Sequence, residues 1–228
     1  MTHINLEAVD TDGAIREAAD AVSGDTRLSF LCKAGVAGGS ALGGGAILSA
    51  LIPGAAMAKE VGAPPSSFGK GDIGILNYAL TLEYLEAAFY NAAAKAGKVH
   101  SKPLKQFLST VQKDENAHVK LLKGALGSKA VKEPKFDFQG IPGDQAKFAA
   151  TAYVLENTGV HAYLGQATNI SAVAYLVVAA EIVTIEARHS GAIALFLGKD
   201  IAPSGPLDKP WTASKVLSAV KSTGFIVG

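Results

Sequence analysis

Two matched sets of ionisable residues, set at helical spacing, limit the folds open to this chain more than any other feature. Leu82-Glu83 matches Leu155-Glu156, and a tyrosine follows each lone glutamate seven positions later, Tyr90 and Tyr163. Glu115-Asn116-Ala117-His118 matches Glu186-Ala187-Arg188-His189, both of the form Glu-x-x-His. The lone and paired glutamates lie 32 residues apart in the first half and 30 in the second, so the chain reads as an internal duplication. On a helix, residues at i and i+3 project from one face, one turn apart. A residue about thirty positions earlier returns level with them across a tight helix hairpin. Each half thus sets one glutamate against a Glu-His pair, and packing the halves about a pseudo-twofold axis brings four carboxylates and two imidazoles to mid-bundle.

Such a cluster in an apolar core is untenable as bare charge, because each buried ion costs several kcal/mol. Two divalent cations remove that cost, with glutamates bridging and capping and one histidine completing each shell. The predicted ligands are Glu83, Glu115, His118, Glu156, Glu186 and His189. This is the donor set of di-iron and di-manganese carboxylate bundles. Mixed oxygen and nitrogen donors suit iron or manganese, and the lack of thiolates argues against structural zinc.

Helix punctuation supports the same architecture. Residues 72–96 read as a first helix with Asp72 as N-cap and Gly97 as stop. The second starts at Ser101-Lys102-Pro103 and runs to Leu126-Gly127. A loop with Pro134, Gly140, Pro142 and Gly143 follows, Asp144 caps a third helix to Ala167, and a fourth spans 170–198. Short links within each pair imply antiparallel hairpins, and residues 127–143 form a crossover between pairs. The fourth helix, very apolar over 173–180, reads as a buried core helix rather than a membrane span, since Glu181, Glu186, Arg188 and His189 interrupt it. The tail, 199–228, carries three prolines and a short amphipathic helix near 212–220.

Residues 1–58 differ in character. A polar stretch precedes Arg27 and Lys33, a Gly/Ala-rich apolar run occupies 34–52, Pro53-Gly54 breaks it, and Ala56-Met57-Ala58 is a small-x-small cleavage pattern. The segment Arg27-Leu28-Ser29-Phe30-Leu31-Cys32-Lys33 resembles a twin-arginine export signal, with Leu28 where the second arginine stands. The expectation is export to the periplasm or beyond, with cleavage before Lys59 and a linker over 59–71. Cleavage would leave no stable membrane span, and would remove Cys32, the one cysteine. A formal net charge of +1, with no basic run, argues against a nucleic-acid partner.

The run Asn77-Tyr78-Ala79-Leu80-Thr81-Leu82-Glu83-Tyr84-Leu85-Glu86-Ala87-Ala88-Phe89-Tyr90 resembles the ferritin-like domain family, in the group that includes desiccation-related proteins. Glu186-Ala187-Arg188-His189 resembles it too, and the likeness covers residues 70–198. Bacterioferritins and rubrerythrins share the ligand pattern. The resemblance implies an all-α, ferritin-like four-helix bundle with a crossover connection and a dinuclear site.

Four residues beside the ligands are candidates for a supporting shell. Glu86 shares the inward face with Glu83, although its counterpart in the second half is Gly159; it reads as an alternative ligand, an entry-path carboxylate, or a glutamate that is solvated or held by a lysine. Tyr90 and Tyr163 lie two turns beyond the lone glutamates, in reach of ligand carboxylates or simply buried with satisfied hydroxyls. Asp114 stands four residues before His118, in helical reach of its imidazole, or belongs to an exposed Lys113-Asp114 face. His161 lies off the ligand face and reads as structural. The chemistry that follows is oxidation of ferrous iron, disproportionation of peroxide, or substrate oxidation, with metal ions and oxygen or peroxide as partners. The rival is a non-enzymatic envelope protein of stress or desiccation, its metal site structural or vestigial. A homo-oligomer, up to a storage cage, is compatible with the pattern but not demanded by it.

Overall fold

The structure, a computed structural model, describes residues 62–227. The export signal, its cleavage site and Cys32 lie outside the described residues. Five α-helices follow one another: α1 (Gly71–Ala96), α2 (Lys102–Leu126), α3 (Gln145–Gln166), α4 (Val173–Phe196) and α5 (Ala213–Thr223). α1 packs chiefly on α2 and α3 on α4, and the two hairpins meet through α1 with α3 and α2 with α4. The described chain is therefore all-α, a ferritin-like four-helix bundle with a short C-terminal helix, its only β feature a lone bridge between Phe136 and Ile226.

Helix boundaries follow local chemistry. Gly97 ends α1 in the left-handed conformation, φ 63°, which glycine adopts without steric cost. Asp144 caps α3 by accepting from the N–H groups of Ala146 and Lys147, both at 2.9 Å. Asp72 does not cap its own helix. The N-cap of α1 is Lys70, and the Asp72 carboxylate instead accepts from Ser171 and Ala172 N–H, each at 2.8 Å. It thereby ties the start of α1 to the entry of α4. That entry is later than residue 170: a 3-10 turn (Ala167–Asn169) and extended backbone at Ala172 delay α4 to Val173.

The crossover runs the length of the bundle. At its start, buried Asn77 of α1 accepts from Val131 N–H at 2.9 Å and donates to the Lys129 carbonyl at 3.0 Å. At its end, Gln145 Oε1 accepts from His100 and Ser101 N–H in the α1–α2 loop, at 2.7 and 3.0 Å. Between these anchors Asp137 N–H donates to the Phe225 carbonyl, and Val227 N–H to Lys135, joining crossover to tail.

α4 departs from its expected burial. Its sequence is apolar all round, yet only one stripe is buried, including Ala179, Ile182, Glu186, His189 and Ile193, while Val173, Val177 and Leu195 are exposed. A helix at the corner of a four-helix square turns just that stripe toward the core. No helix among the described residues is long and apolar enough to cross a membrane.

The tail is strapped onto α3. His161 stacks on Trp211 with ring centroids 4.4 Å apart, and its Nδ1 donates to the Lys209 carbonyl at 2.6 Å. The carbonyl oxygen of Trp211 lies 1.9 Å from where a Cβ on Gly165 would stand, so only glycine permits this approach. Gly165→Ala is expected to destabilise the fold by about 3 kcal/mol, the upper range for forced overpacking. Urea unfolding of the variant checks this, and a change under 0.5 kcal/mol, roughly the surface-substitution range, would show that the strap yields freely.

Candidate metal centre

Each hairpin delivers its glutamates and histidine to the bundle interior. Glu83 comes from α1, Glu115 and His118 from α2, Glu156 from α3, and Glu186 and His189 from α4. All four carboxylates are fully buried, and the imidazoles are only 8% and 5% exposed. His118 Nδ1 stands 3.2 Å from Glu83 Oε2, 3.2 Å from Glu115 Oε2 and 3.3 Å from Glu186 Oε1. His189 Nδ1 stands 3.1 Å from Glu115 Oε1 and 3.2 Å from Glu156 Oε2. Two groups with donor atoms close enough to hold an ion result: Glu83, Glu115, His118 and Glu186, and Glu115, Glu156, Glu186 and His189. Glu115 and Glu186 belong to both, as bridging ligands do, while Glu83 and Glu156 each belong to one.

Several donor atoms of the cluster have no hydrogen-bond partner among the others. Glu115 Oε1, Glu156 Oε2, both Glu186 oxygens and His189 Nδ1 are buried without a hydrogen-bond partner. Buried polar atoms are seldom left so, since each costs about 1–3 kcal/mol. Five such atoms in one place, with His189 Nδ1 3.1 Å from Glu115 Oε1 and 3.2 Å from Glu156 Oε2 yet not aligned to bond, share a need for positive charge between them. Oxygen donors with one nitrogen per group fit iron or manganese.

Without ions, protons must supply that charge. Burial drives the Glu115 carboxyl up to about 7, with His118 and His189 pulling the other way. Glu186 is raised well above the usual carboxylate range by burial, then by Glu115 and Glu83. Burial by itself would lower His189, but Glu115 and Glu156 outweigh it and push the imidazole up to about 11. His118 is raised in the same way, burial opposing and Glu115, Glu186 and Glu83 prevailing.

The neighbouring residues bind the two halves to each other. Tyr163 of α3 donates to Glu83 Oε1 of α1 at 2.5 Å, and Tyr90 of α1 donates to Glu156 Oε1 of α3. Each tyrosine thus holds the lone glutamate of the opposite half, a swap that the i+7 spacing does not disclose. Burial and the facing carboxylate raise both phenols well above their ordinary value, so both stay protonated as donors. Asp114 does not serve His118, four residues on. Its Oδ2 lies 3.0 Å from Nε2 of His189, because the flank of α2 that carries Asp114 faces α4 while His118 turns inward. Asp114 accepts the Nε2 proton, and this tautomer leaves the Nδ1 lone pair directed at the ligand cluster. Glu86 is buried too, with Oε1 unpartnered. His161 lies with the tail and takes no part. An apolar cavity of about 20 Å³, lined by Leu82, Leu122 and Ala162 among others, ends at Tyr163.

A family model, the ferritin-like domain, matches residues 71–199. The chain belongs to the ferritin-like domain family. The match contains every residue of the cluster and stops before the tail. No curated protein matches the sequence. Within this ferritin-like protein the described site rests on its own geometry, and the residue that spacing alone could not interpret was Gly159. A Cβ there would stand 2.8 Å from Glu186 Oε2, so the glycine opposite Glu86 makes room for the Glu186 carboxylate.

Proposed function

We propose that this is an exported ferritin-like protein that binds a dinuclear iron or manganese centre and uses it for redox handling of metal, oxygen or peroxide. The observation that carries the reading is the pair of ligand groups sharing Glu115 and Glu186, since shared carboxylates set two ions side by side. Two adjacent iron or manganese ions supply paired one-electron steps between divalent and trivalent states, which suits the two-electron chemistry of peroxide or the oxidation of ferrous iron.

The protein's own residues fit that use. Four buried carboxylates match the charge of two divalent ions, and anionic oxygen donors favour the trivalent state more than neutral donors do. Tyr90 and Tyr163 clamp Glu156 and Glu83 from across the bundle, so the single-site glutamates keep their orientation when charge changes. The apolar wall around the cluster keeps bulk water and large reductants away, and the cavity beside Tyr163 is of a size for a molecule no larger than oxygen or water. Residues 1–58 support export, since their polar lead, apolar run and small-x-small pattern fit a secretory signal.

Turnover is the test. Full chain lacking the signal segment, loaded anaerobically with ferrous iron or with manganese, is expected to consume added oxygen or peroxide. Glu115→Ala and His118→Ala are expected to lose that consumption. Ions held tightly by the unaltered protein with no consumption of either oxidant would leave a structural metal site and defeat the redox reading.

A further inference from the structure

The two halves of the site match residue for residue at the six ligands and the two tyrosines, and they differ at the inward position one turn beyond the lone glutamate. Glu86 stands one turn beyond Glu83, and Gly159 stands at the same place beyond Glu156. Glu86 is 2% exposed, and its Oε1 is buried with no hydrogen-bond partner. A Cβ on Gly159 would lie 2.8 Å from Glu186 Oε2 and 3.6 Å from Glu86 Oε1. The volume that a side chain would fill in the second half is therefore bounded by two carboxylates, one of them an orphaned oxygen from the first half.

Resting on the dinuclear reading above, we propose that Glu86 is a seventh protein ligand, adding a carboxylate oxygen to the ion held by Glu115, Glu156, Glu186 and His189. A solvated glutamate is ruled out by its burial, and among the described residues no lysine or arginine is paired with it. The gap that Gly159 leaves open lies on α3, one turn from Glu156, which belongs to the second group alone, and both Glu86 Oε1 and Glu186 Oε2 border it. The two ion positions then differ: one has the carboxylate of Glu86 in addition to its group, while the other, with His118, has none. An extra anionic oxygen on one ion favours its higher charge and gives the pair unequal affinities.

Cobalt(II) reads this directly, because its visible bands weaken as coordination number rises. The unaltered protein, stripped of metal and titrated with cobalt(II), is expected to bind two ions in distinguishable steps. Glu86→Gln, close in size and uncharged, is expected to weaken one step about tenfold or more, on the scale of lost supporting groups at metal sites. The bands of that ion are expected to intensify while the other step is unmoved. A crystal structure of the cobalt-loaded unaltered protein decides the matter without any variant: an oxygen of Glu86 within bonding distance of an ion supports the proposal. Two bound ions with Glu86 beyond bonding distance, or a Glu86→Gln titration identical to that of the unaltered protein, would overturn it and leave the dinuclear reading standing. An unaltered protein that binds no cobalt overturns both.

Discussion

Glu186→Gln is expected to empty both ion positions, whereas Glu83→Gln or Glu156→Gln empties one. The difference follows from membership: Glu186 belongs to both groups, while Glu83 and Glu156 each belong to one. Loss of a group that merely orients a ligand costs metal affinity about 10–100-fold, so loss of a shared ligand should exceed a hundredfold for each ion. Metal content after loading and desalting provides the measurement, with the unaltered protein as reference. The metal-free protein should be little affected. Burial, then Glu115 and Glu83, raise the Glu186 carboxyl well above its ordinary range, so without ions it is held protonated, and a neutral amide of the same shape replaces it at small cost. A variant that loses its ions yet melts without metal where the unaltered protein does is thus the expected signature. Equal loss of one ion from Glu186→Gln and from Glu83→Gln would show that the glutamates are not shared, and the paired arrangement would fail with it.

The bundle was legible in the sequence because its determinants are periodic. A Glu-x-x-His on each of two helices, with a glutamate thirty residues earlier, states which faces must meet, and Gly97 and Asp144 mark helix ends by local chemistry alone. What the sequence withheld was partner choice between elements. Asp72 reads as a cap for its own helix, yet its carboxylate bonds Ser171 and Ala172, 99 and 100 residues away. Asp114 is in helical reach of His118 and goes to His189. Both are short acidic side chains on helix flanks, and which neighbour they meet depends on how helices are rotated and staggered. Periodicity fixes the buried stripe but not those flanks.

The tyrosines show the same limit from inside the core. Their position after each lone glutamate was plain, but the bond runs to the glutamate of the other half, since seven residues along a helix span about 10 Å, too far for an intrahelical contact. The fourth helix shows the converse. Its composition suggested burial all round, and the bundle geometry buries one stripe, because hydrophobicity reports what a face tolerates and not what covers it. Gly159 combined both kinds of information: the asymmetry with Glu86 was visible in sequence, and its meaning appeared only when Glu186 was found against it.

Stability without metal should fall as pH rises from about 5 to 8, and the gain on loading should widen over the same range. In the folded, metal-free protein Glu115 keeps its proton to about 7, against an ordinary value of 4.5. Between those values the folded state holds a proton that the unfolded chain has released, so raising the pH favours unfolding. His189 acts with the same sign: its folded value, about 11, exceeds the ordinary 6.5, and the stabilisation present below 6.5 is lost as pH climbs through the folded value. Glu115 alone corresponds to a loss on the order of 3 kcal/mol by neutral pH, or about 10 °C in melting temperature for a chain of this size. Ions reverse the slope. They take the places of these protons, so binding releases protons and tightens as pH rises. Thermal melts at pH 5, 6, 7 and 8, with chelator and with manganese, make the comparison. The two curves should lie close together at pH 5 and diverge steadily above it. A chelated protein that grows more stable over this range, or a constant gap, would mean that protons and cations do not compete for the glutamate and histidine cluster.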